Sequence, residues 1–177
     1  LREKELQGTV AIFKRYFLSD ASNQADTLLA LTTESSDCAL SIVEQPPLNG
    51  TKVAVWIYLQ TKVQTQMLHN GLFEVKHGPY RHLWGGCSFN RAANSEYHTN
   101  VITTHYVMQL IEQGCKLAAN CIRTWFFVQN VDVNYPGVVK ARNEVFVTQN
   151  LTEKTHYISS TGIGGRHADP KVLVQMD

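Results

Sequence analysis

The sequence lacks the features that would place it in several classes of protein at once. Its four cysteines form no C-x-x-C pair, which favours free thiols over a disulfide framework. No apolar run approaches the roughly 20 residues that a membrane-spanning helix needs. The formal net charge is only +1, with no basic field for nucleic acid and no acidic tail. We therefore expect a globular cytoplasmic protein that binds neither membrane nor nucleic acid.

Recognisable metal and cofactor motifs are also missing. The seven histidines are scattered, and their positions favour helix surfaces and core over metal ligation. The glycine-rich run "TGIGG", residues 161–165, resembles a phosphate cradle, but a strand follows it rather than a helix N-terminus. We interpret it as a turn or a loop that lines a substrate site, and we expect no metal and no cofactor.

The first 70 residues are dominated by strand patterns. Runs rich in β-branched and aromatic residues predict strands at 9–20, 38–45 and 52–60. The prolines and Asn-Gly of residues 46–50 predict a turn that joins the last two strands. Residues 21–37 predict a weak helix or a loop, and the polar stretch 61–71 is the best candidate for a boundary. We therefore expect a β-rich extension over 1–70 and a second unit over 71–177.

From residue 72 onward the pattern alternates between strand and helix. We predict strands at 72–78, 80–89, 121–131, 155–163 and 171–177. Helices are predicted at 95–117, with Gly114 near its end, and at 136–149, with Pro136 in its first turn. The first two strands form a hairpin through residues 77–79. The order β-β-α-β-α-β-β predicts an α+β fold, in which two helices back a mainly antiparallel sheet.

Two arginines are candidates for binding an anion. Arg123 shares a strand face with Trp125 and Phe127, and a cation among aromatic rings needs a partner. An anion clamp and a structural ion pair both satisfy that need. Arg166 follows the glycine-rich run, where it is either a solvated loop residue or a ligand for a carboxylate.

Charged residues of the last predicted helix have a simpler interpretation. Lys140 and Glu144 lie four residues apart, at the spacing of a solvated pair on one helix face.

The segments that carry a family resemblance span nearly the whole chain. They are "FKRYFLSDASNQ", "VEQPPLNGTKVAVWIYLQ", "RHLWGG", "CIRTWFFVQNVDVNYPGVVKARNEVF" and "THYISSTGIGGR". In these segments the chain resembles the Rid family, also called YjgF-like or endoribonuclease L-PSP-like. Within it, the chain is most similar to the N-terminal part of chorismatases and their pteridine-dependent-deoxygenase-like relatives. The resemblance implies a Rid or chorismate-mutase-like domain with an N-terminal β extension.

The resemblance also implies an activity. Chorismatases hydrolyse the enolpyruvyl ether of chorismate and release pyruvate, without a metal or an organic cofactor. In that setting Arg123 and Arg166 would bind the carboxylates of the substrate, and Tyr157 and Thr161 would hydrogen-bond it. Members of this branch contain two Rid-like halves, and their proton-donating glutamate lies in the last strand of the second half.

No catalytic residue is therefore expected in this chain. Gln175 stands where an acid would be expected, and Thr155 and His156 stand where Rid-type deaminases carry an arginine. The alternatives are a free-standing Rid-type imine deaminase or endoribonuclease, and a non-catalytic oligomerisation domain.

The resemblance finally implies partners besides a small carboxylate. Rid domains commonly form trimers, so we expect a homo-oligomer or packing against a second Rid-like half. The Trp- and Phe-rich strand face would otherwise be an aggregation hazard. We expect this face to be buried, either by self-association or under the N-terminal extension.

Overall fold

The computed structural model describes residues 4–32 and 38–177 as an α+β protein. The strands are β1 (Thr9–Leu18), β2 (Ala39–Glu44), β3 (Val53–Thr61), β4 (Gln64–Met67), β5 (Phe73–His77), β6 (Tyr80–Trp84), β7 (Ser88–Phe89), β8 (Arg123–Val128), β9 (Ser159–Gly164) and β10 (Val174–Met176). The helices are α1 (Ala21–Thr32), α2 (Ser95–Glu112), α3 (Leu117–Asn120) and α4 (Val131–Thr148). The predicted order β-β-α-β-α-β-β from residue 72 onward is confirmed, with the short β7 and α3 added to it.

The N-terminal sheet has the order β2-β1-β3, with β1 parallel to β2 and antiparallel to β3. The predicted turn between β2 and β3 is confirmed, with Gly50 N donating to Pro47 O at 3.1 Å, but the two strands do not pair, because β1 lies between them. Backbone hydrogen bonds at the end of β1 connect it to the segments next to β2 and β3. Gln45 N donates to Leu18 O, and Ser19 N donates to Lys52 O. Ile12 and Phe13 are both buried, as the residues of a central strand are.

The C-terminal part contains two further sheets. One has the order β7-β10-β8-β9, and the other has the order β4-β5-β6. The predicted hairpin of β5 and β6 is confirmed, and Gly78 adopts the positive φ of +56° that its tight turn requires. The polar stretch 61–71 contains β4, which pairs with β5. The division of the chain at residue 70 stays a prediction.

Helix α4 begins earlier than predicted, at Val131, so Pro136 lies inside the helix. Proline lacks the N–H that would bond to the carbonyl four residues back. That carbonyl belongs to Asp132, in the first turn, so only the start of the helix is affected. Asn130, at φ 46°, precedes α4 and accepts hydrogen bonds from Val133 N and Asn134 N.

Other element bounds also differ from the prediction. Strand β8 is shorter than 121–131, and β10 is shorter than 171–177. Most of "TGIGG" belongs to β9, so the interpretation of these residues as a turn or loop is wrong. Gly162 is needed within that strand because a Cβ there would collide with the ring of Tyr135. Helix α1 confirms a helix at the start of the segment 21–37, whose residues 33–37 lie outside the described residues.

Helices α2 and α4 pack closely against each other on the sheet of order β7-β10-β8-β9, which we call the C-terminal sheet. Gly137 allows this approach, because a Cβ on it would collide with Ser95 Oγ. Lys140 Nζ of α4 lies 2.7 Å from Glu96 Oε1 of α2. The ion pair of Lys140 is therefore with an acid on the neighbouring helix and not with Glu144, its predicted partner.

Within the described residues, four buried clusters form the core. The N-terminal sheet packs on the hairpin through Ile12, Phe13, Phe73 and Val75, and the helices pack on the C-terminal sheet through residues such as Ile102, Phe126, Val128 and Val138. The Trp- and Phe-rich face of β8 is covered by the N-terminal sheet. A Cβ on Gly165 would come within 2.8 Å of Val43 Cγ2 and 3.0 Å of the Phe127 ring, so glycine permits this close packing.

The four cysteines, Cys38, Cys87, Cys115 and Cys121, form no disulfide within the described part of the chain. His98 is buried, with Nε2 2.7 Å from Ala92 O and Nδ1 3.3 Å from Leu173 N. Within residues 4–32 and 38–177, no three metal-ligating side chains are grouped to hold an ion, and no helix has the length and hydropathy to cross a bilayer.

The ion pairs of Glu74 in β5 are expected to stabilise the hairpin of β5 and β6. Its buried carboxylate pairs with Arg81 and lies 3.0 Å from Lys76 Nζ. The hydrogen bond from Arg81, with help from Lys76, lowers the pKa of Glu74 below its usual value of 4.5. We expect Glu74→Gln to cost about 1.5–3 kcal/mol at pH 7, the range for hydrogen bonds to charged groups.

The pH dependence of this effect has a definite sign. A carboxyl with a lowered folded pKa stabilises the protein above its unfolded pKa and loses that stabilisation as the pH falls through the folded pKa. The difference in urea midpoint between wild type and Glu74→Gln should therefore shrink below about pH 4.5. Glu96→Gln, which removes the exposed partner of Lys140, should cost less than about 1 kcal/mol. Equal losses for both variants would contradict the role of burial.

Candidate anion-binding site

The candidate site lies where the parallel strands β8 and β9 begin. Their register places Arg123 beside Ser159 and Trp125 beside Thr161. The predicted alternation of β8 is confirmed, since Phe126 and Val128 face the helices. Arg123 and Trp125 therefore lie on the opposite face of the sheet.

Arg123 is held in place by an aromatic ring and a hydroxyl group. Its guanidinium carbon lies 4.3 Å from the centroid of the Trp125 ring, and its Nη2 donates to Thr161 Oγ1 at 3.1 Å. No carboxylate lies within ion-pair distance of Arg123 in the described ranges, 4–32 and 38–177. A structural ion pair of this exposed arginine is thus not found among the described residues, and the anion clamp stays a prediction.

Arg166 has a different environment. Its Nη2 lies 2.5 Å from Glu44 Oε1, and the other oxygen of Glu44 accepts from Ala21 N at the start of α1. Their backbones also form an antiparallel bridge, with Glu44 N donating to Arg166 O at 2.7 Å and Arg166 N donating to Glu44 O at 3.1 Å. Arg166 therefore ties the end of β2 to the segment that follows β9.

The two arginines lie at opposite ends of the β8–β9 pair. Arg123 is at the start of the strands, whereas Arg166 lies two residues beyond the end of β9. The strand itself spans about 16 Å at the usual rise per residue. Tyr157 precedes β9 by two residues, at the end where Arg123 lies, and its side chain is 63% exposed. The structure thus brings Arg123, Thr161 and Tyr157 to one end of the pair and places Arg166 away from them.

A buried ion pair lies beneath this site. Arg15 of β1 donates from Nε and Nη2 to Asp177 Oδ2, at 3.1 and 2.9 Å, and the two side chains are only 5% and 2% exposed. Asp177 Oδ1 accepts from Cys87 N at 2.7 Å. Burial, together with the charge of Asp177, raises the pKa of the Cys87 thiol to about 12. This thiol is therefore protonated at neutral pH.

Four aromatic rings surround the guanidinium of Arg15. Its carbon lies 5.0–5.4 Å from the ring centroids of Phe13, Trp56, Trp125 and Phe127. Trp125 consequently contacts two arginines, the buried Arg15 and the exposed Arg123. Cation–π contacts of both arginines orient this ring and, through it, the surface of the site.

Sequence reasoning missed the pair of Arg15 and Asp177. A signal was present, because Arg15 shares a strand face with Phe13 and Phe17, as Arg123 does with Trp125. The partner could not be found in this way, since Asp177 lies 162 residues along the chain. Gln175, the residue noted in place of an acid, is buried in β10 and donates to Ser41 Oγ at 3.2 Å. It belongs to the covered interior between the sheets.

Comparison with known proteins gives only weak similarities. No protein-family model matches the chain, and no curated protein matches it in sequence. A proposed translation initiation inhibitor from Salmonella typhimurium has a TM-score of 0.46 and 13% identity, over 65% of this chain and 93% of that one. A member of the highly conserved YjgF/YER057c/UK114 family from Mycobacterium tuberculosis has a TM-score of 0.44 and 16% identity, over 58% and 79% of the two chains. Both scores are too low to assign a family or an activity.

Proposed function

We propose that the chain is a Rid-type domain that binds a small carboxylate-bearing molecule at Arg123. One observation carries the proposal. The exposed guanidinium of Arg123 is held by Trp125 and Thr161, yet no acid of the described residues neutralises it. The sequence segments that resemble the Rid family support the assignment of the domain type.

The geometry suits a carboxylate in particular. A guanidinium that stacks on an aromatic face keeps its N–H groups in its own plane, where a carboxylate accepts two parallel hydrogen bonds. Only the Nη2 of Arg123 has a partner among the described residues, and that partner is the neutral hydroxyl of Thr161. Because Trp125 and Thr161 already restrict the side chain, little conformational entropy is lost when the ligand binds.

The finer proposal, based on the sequence resemblance, is that the ligand is chorismate or a related enolpyruvyl carboxylate. A general acid that protonates the enolpyruvyl group must lie within hydrogen-bond reach of it. No carboxylate of the described residues accompanies Arg123, so we propose binding without turnover by this chain alone.

The test is a titration of the chain with chorismate, followed by an assay for pyruvate. We expect saturable binding and no pyruvate above background. The dimethyl ester of chorismate is the matched control, since it keeps the ring but lacks the charges, and we expect it to bind at least about tenfold more weakly. Equal affinity for acid and ester would contradict the proposed site. Pyruvate release at an enzymatic rate of about 1 to 10³ per second would show that a catalytic acid is present.

A separate assay tests the alternative, hydrolysis of a reactive imine. Thr155 and His156 stand where Rid-type deaminases carry an arginine, and each side chain has a backbone carbonyl as its partner. Thr155 Oγ1 donates to Asn150 O, and His156 Nε2 lies 2.7 Å from Ala118 O. Ammonia release from an imine of a small 2-oxo acid by the isolated chain would favour this alternative over binding alone.

A further inference from the structure

Strand β3 occupies an edge of the N-terminal sheet and is apolar on both of its faces. It pairs with β1 on one side, and no strand of the described residues pairs with its other side. Five of its side chains are between 39% and 47% exposed: Val53, Val55, Trp56, Ile57 and Tyr58. Val53, Val55 and Ile57 lie on one face, and Trp56 and Tyr58 lie on the other.

The sequence of β3 is typical of a central strand. The run "VAVWIYL", residues 53–59, contains no charge and no proline, and such continuous apolar runs belong to strands with neighbours on both sides. Natural edge strands are usually protected by charges, prolines, bulges or short length. Strand β4, an edge of the hairpin sheet, has the polar sequence "QTQM", and β7 has only two residues. Strand β3 lacks this protection, so its free edge is suited to another strand.

We propose that β3 pairs antiparallel with β3 of a second copy of this chain, joining the two N-terminal sheets across a twofold axis. A twofold interface places the same surface on both sides, so the strand must complement itself. The apolar run 53–59 does so, because it can be paired with its own copy over its whole length.

The lysines at the two ends of β3 distinguish between two possible registers of the paired strands. If the twofold axis passes beside Ile57, Lys52 and Lys62, which flank β3, come close to each other at both ends of the ribbon, and like charges so placed are destabilising. If the axis passes beside Trp56, Lys52 faces Gln60 instead. The cross-strand pairs within the run are then all apolar: Val53 with Leu59, Ala54 with Tyr58, Val55 with Ile57, and Trp56 with its own copy. We therefore assign the register centred on Trp56.

The register centred on Trp56 extends the aromatic packing that each chain already contains. On the inner face, Trp56 contacts Phe13 at a centroid distance of 5.8 Å, and Tyr58 contacts Trp84 at 5.3 Å. A second Trp56 beside the first would cover the half-exposed edge of this aromatic group. Cross-strand aromatic and aromatic–aliphatic pairs are the contacts that stabilise antiparallel strands.

The first measurement is sedimentation equilibrium of the 177-residue chain. We expect a dimer for the wild type and a dissociation constant raised about tenfold or more in Val55→Lys, since a lysine would then face Ile57 of the second copy. The matched control is Met67→Lys, which places the same charge on another edge strand, β4, where Met67 is 55% exposed. This control should not change the assembly.

A mixing experiment tests the register directly. Ile57→Glu should also dissociate the dimer, but a mixture of Val55→Lys and Ile57→Glu chains should form a heterodimer. In the proposed register, the lysine introduced at position 55 of one chain faces the glutamate introduced at position 57 of the other. The second pair keeps the unaltered Ile57 of the first chain opposite the unaltered Val55 of the other. In the register centred on Ile57 the two introduced charges do not meet.

Three results would overturn the proposal: a monomeric wild type, a trimer insensitive to Val55→Lys, or a mixture of the two variants that stays dissociated. Circular dichroism spectra would verify that both variants are folded.

Discussion

Replacing Arg15 by Met is expected to lower the free energy of unfolding by about 3–5 kcal/mol, the usual loss when one partner of a buried ion pair is removed. The Asp177 side chain, which is 2% exposed, would lose its cationic partner and keep Cys87 N as the one hydrogen-bond donor to its carboxylate among the described residues. Met retains much of the side-chain volume between the aromatic rings, so the loss reports the charge rather than a cavity. Urea unfolding at pH 7 provides the measurement.

The control for this prediction is the double variant Arg15→Met with Asp177→Asn. It leaves no buried charge at the pair, and the amide oxygen of asparagine can still accept from Cys87 N. We expect the double variant to be more stable than the sum of the two single losses predicts, because the two residues are directly coupled. Additive losses, or a loss below about 1 kcal/mol for Arg15→Met, would mean that the pair behaves like a solvated surface pair.

Replacing Arg123 by Met is expected to weaken the binding of chorismate by about 1.5–3 kcal/mol, the range for hydrogen bonds to charged groups. This corresponds to roughly ten- to more than a hundredfold in the dissociation constant. Arg123→Lys keeps the charge but loses the planar fork, so binding should weaken here as well. Thermal stability should change little, since Arg123 has no acidic partner in the described residues to leave unpaired. Titration calorimetry and thermal unfolding on the same variants give both quantities.

Arg166→Met is the matched control for the arginine prediction. Loss of the Arg166 side chain leaves Glu44 without its cationic partner. We therefore expect a lower melting temperature with nearly unchanged binding of chorismate. Weakened binding in Arg166→Met, at unchanged stability, would instead support the role in substrate binding that the sequence resemblance implies for it. Destabilisation of Arg123→Met with intact binding would contradict the anion site.

Local patterns in the sequence predicted much of the structure from residue 72 onward. The hairpin of β5 and β6 was predictable because Gly78 and Pro79 define its turn within a few residues. The division of the β8 residues between the two faces of the sheet was predictable because strand alternation depends only on neighbouring positions. The start of α4 was missed because Pro136 is tolerated beyond the first helical position when the lost bond falls in the first turn.

Long-range pairing could not be read from the sequence. The insertion of β1 between β2 and β3 depends on contacts that no turn signal encodes. The same holds for the two arginines of the predicted clamp. Neither sequence context identifies a partner, yet Glu44, more than a hundred residues before Arg166, pairs with Arg166, whereas Arg123 has no acidic partner among the described residues. Composition and spacing identify candidate cations, whereas the partner of each is decided by the tertiary fold.

Nuclear magnetic resonance of the arginine side chains during a chorismate titration tests the anion site most directly. The Nε–H signal of Arg123 is assigned by its disappearance in Arg123→Lys. We predict that this signal shifts saturably with chorismate, while the signal of the buried Arg15 stays in place. An unchanged Arg123 signal at chorismate concentrations that saturate the protein would contradict the account.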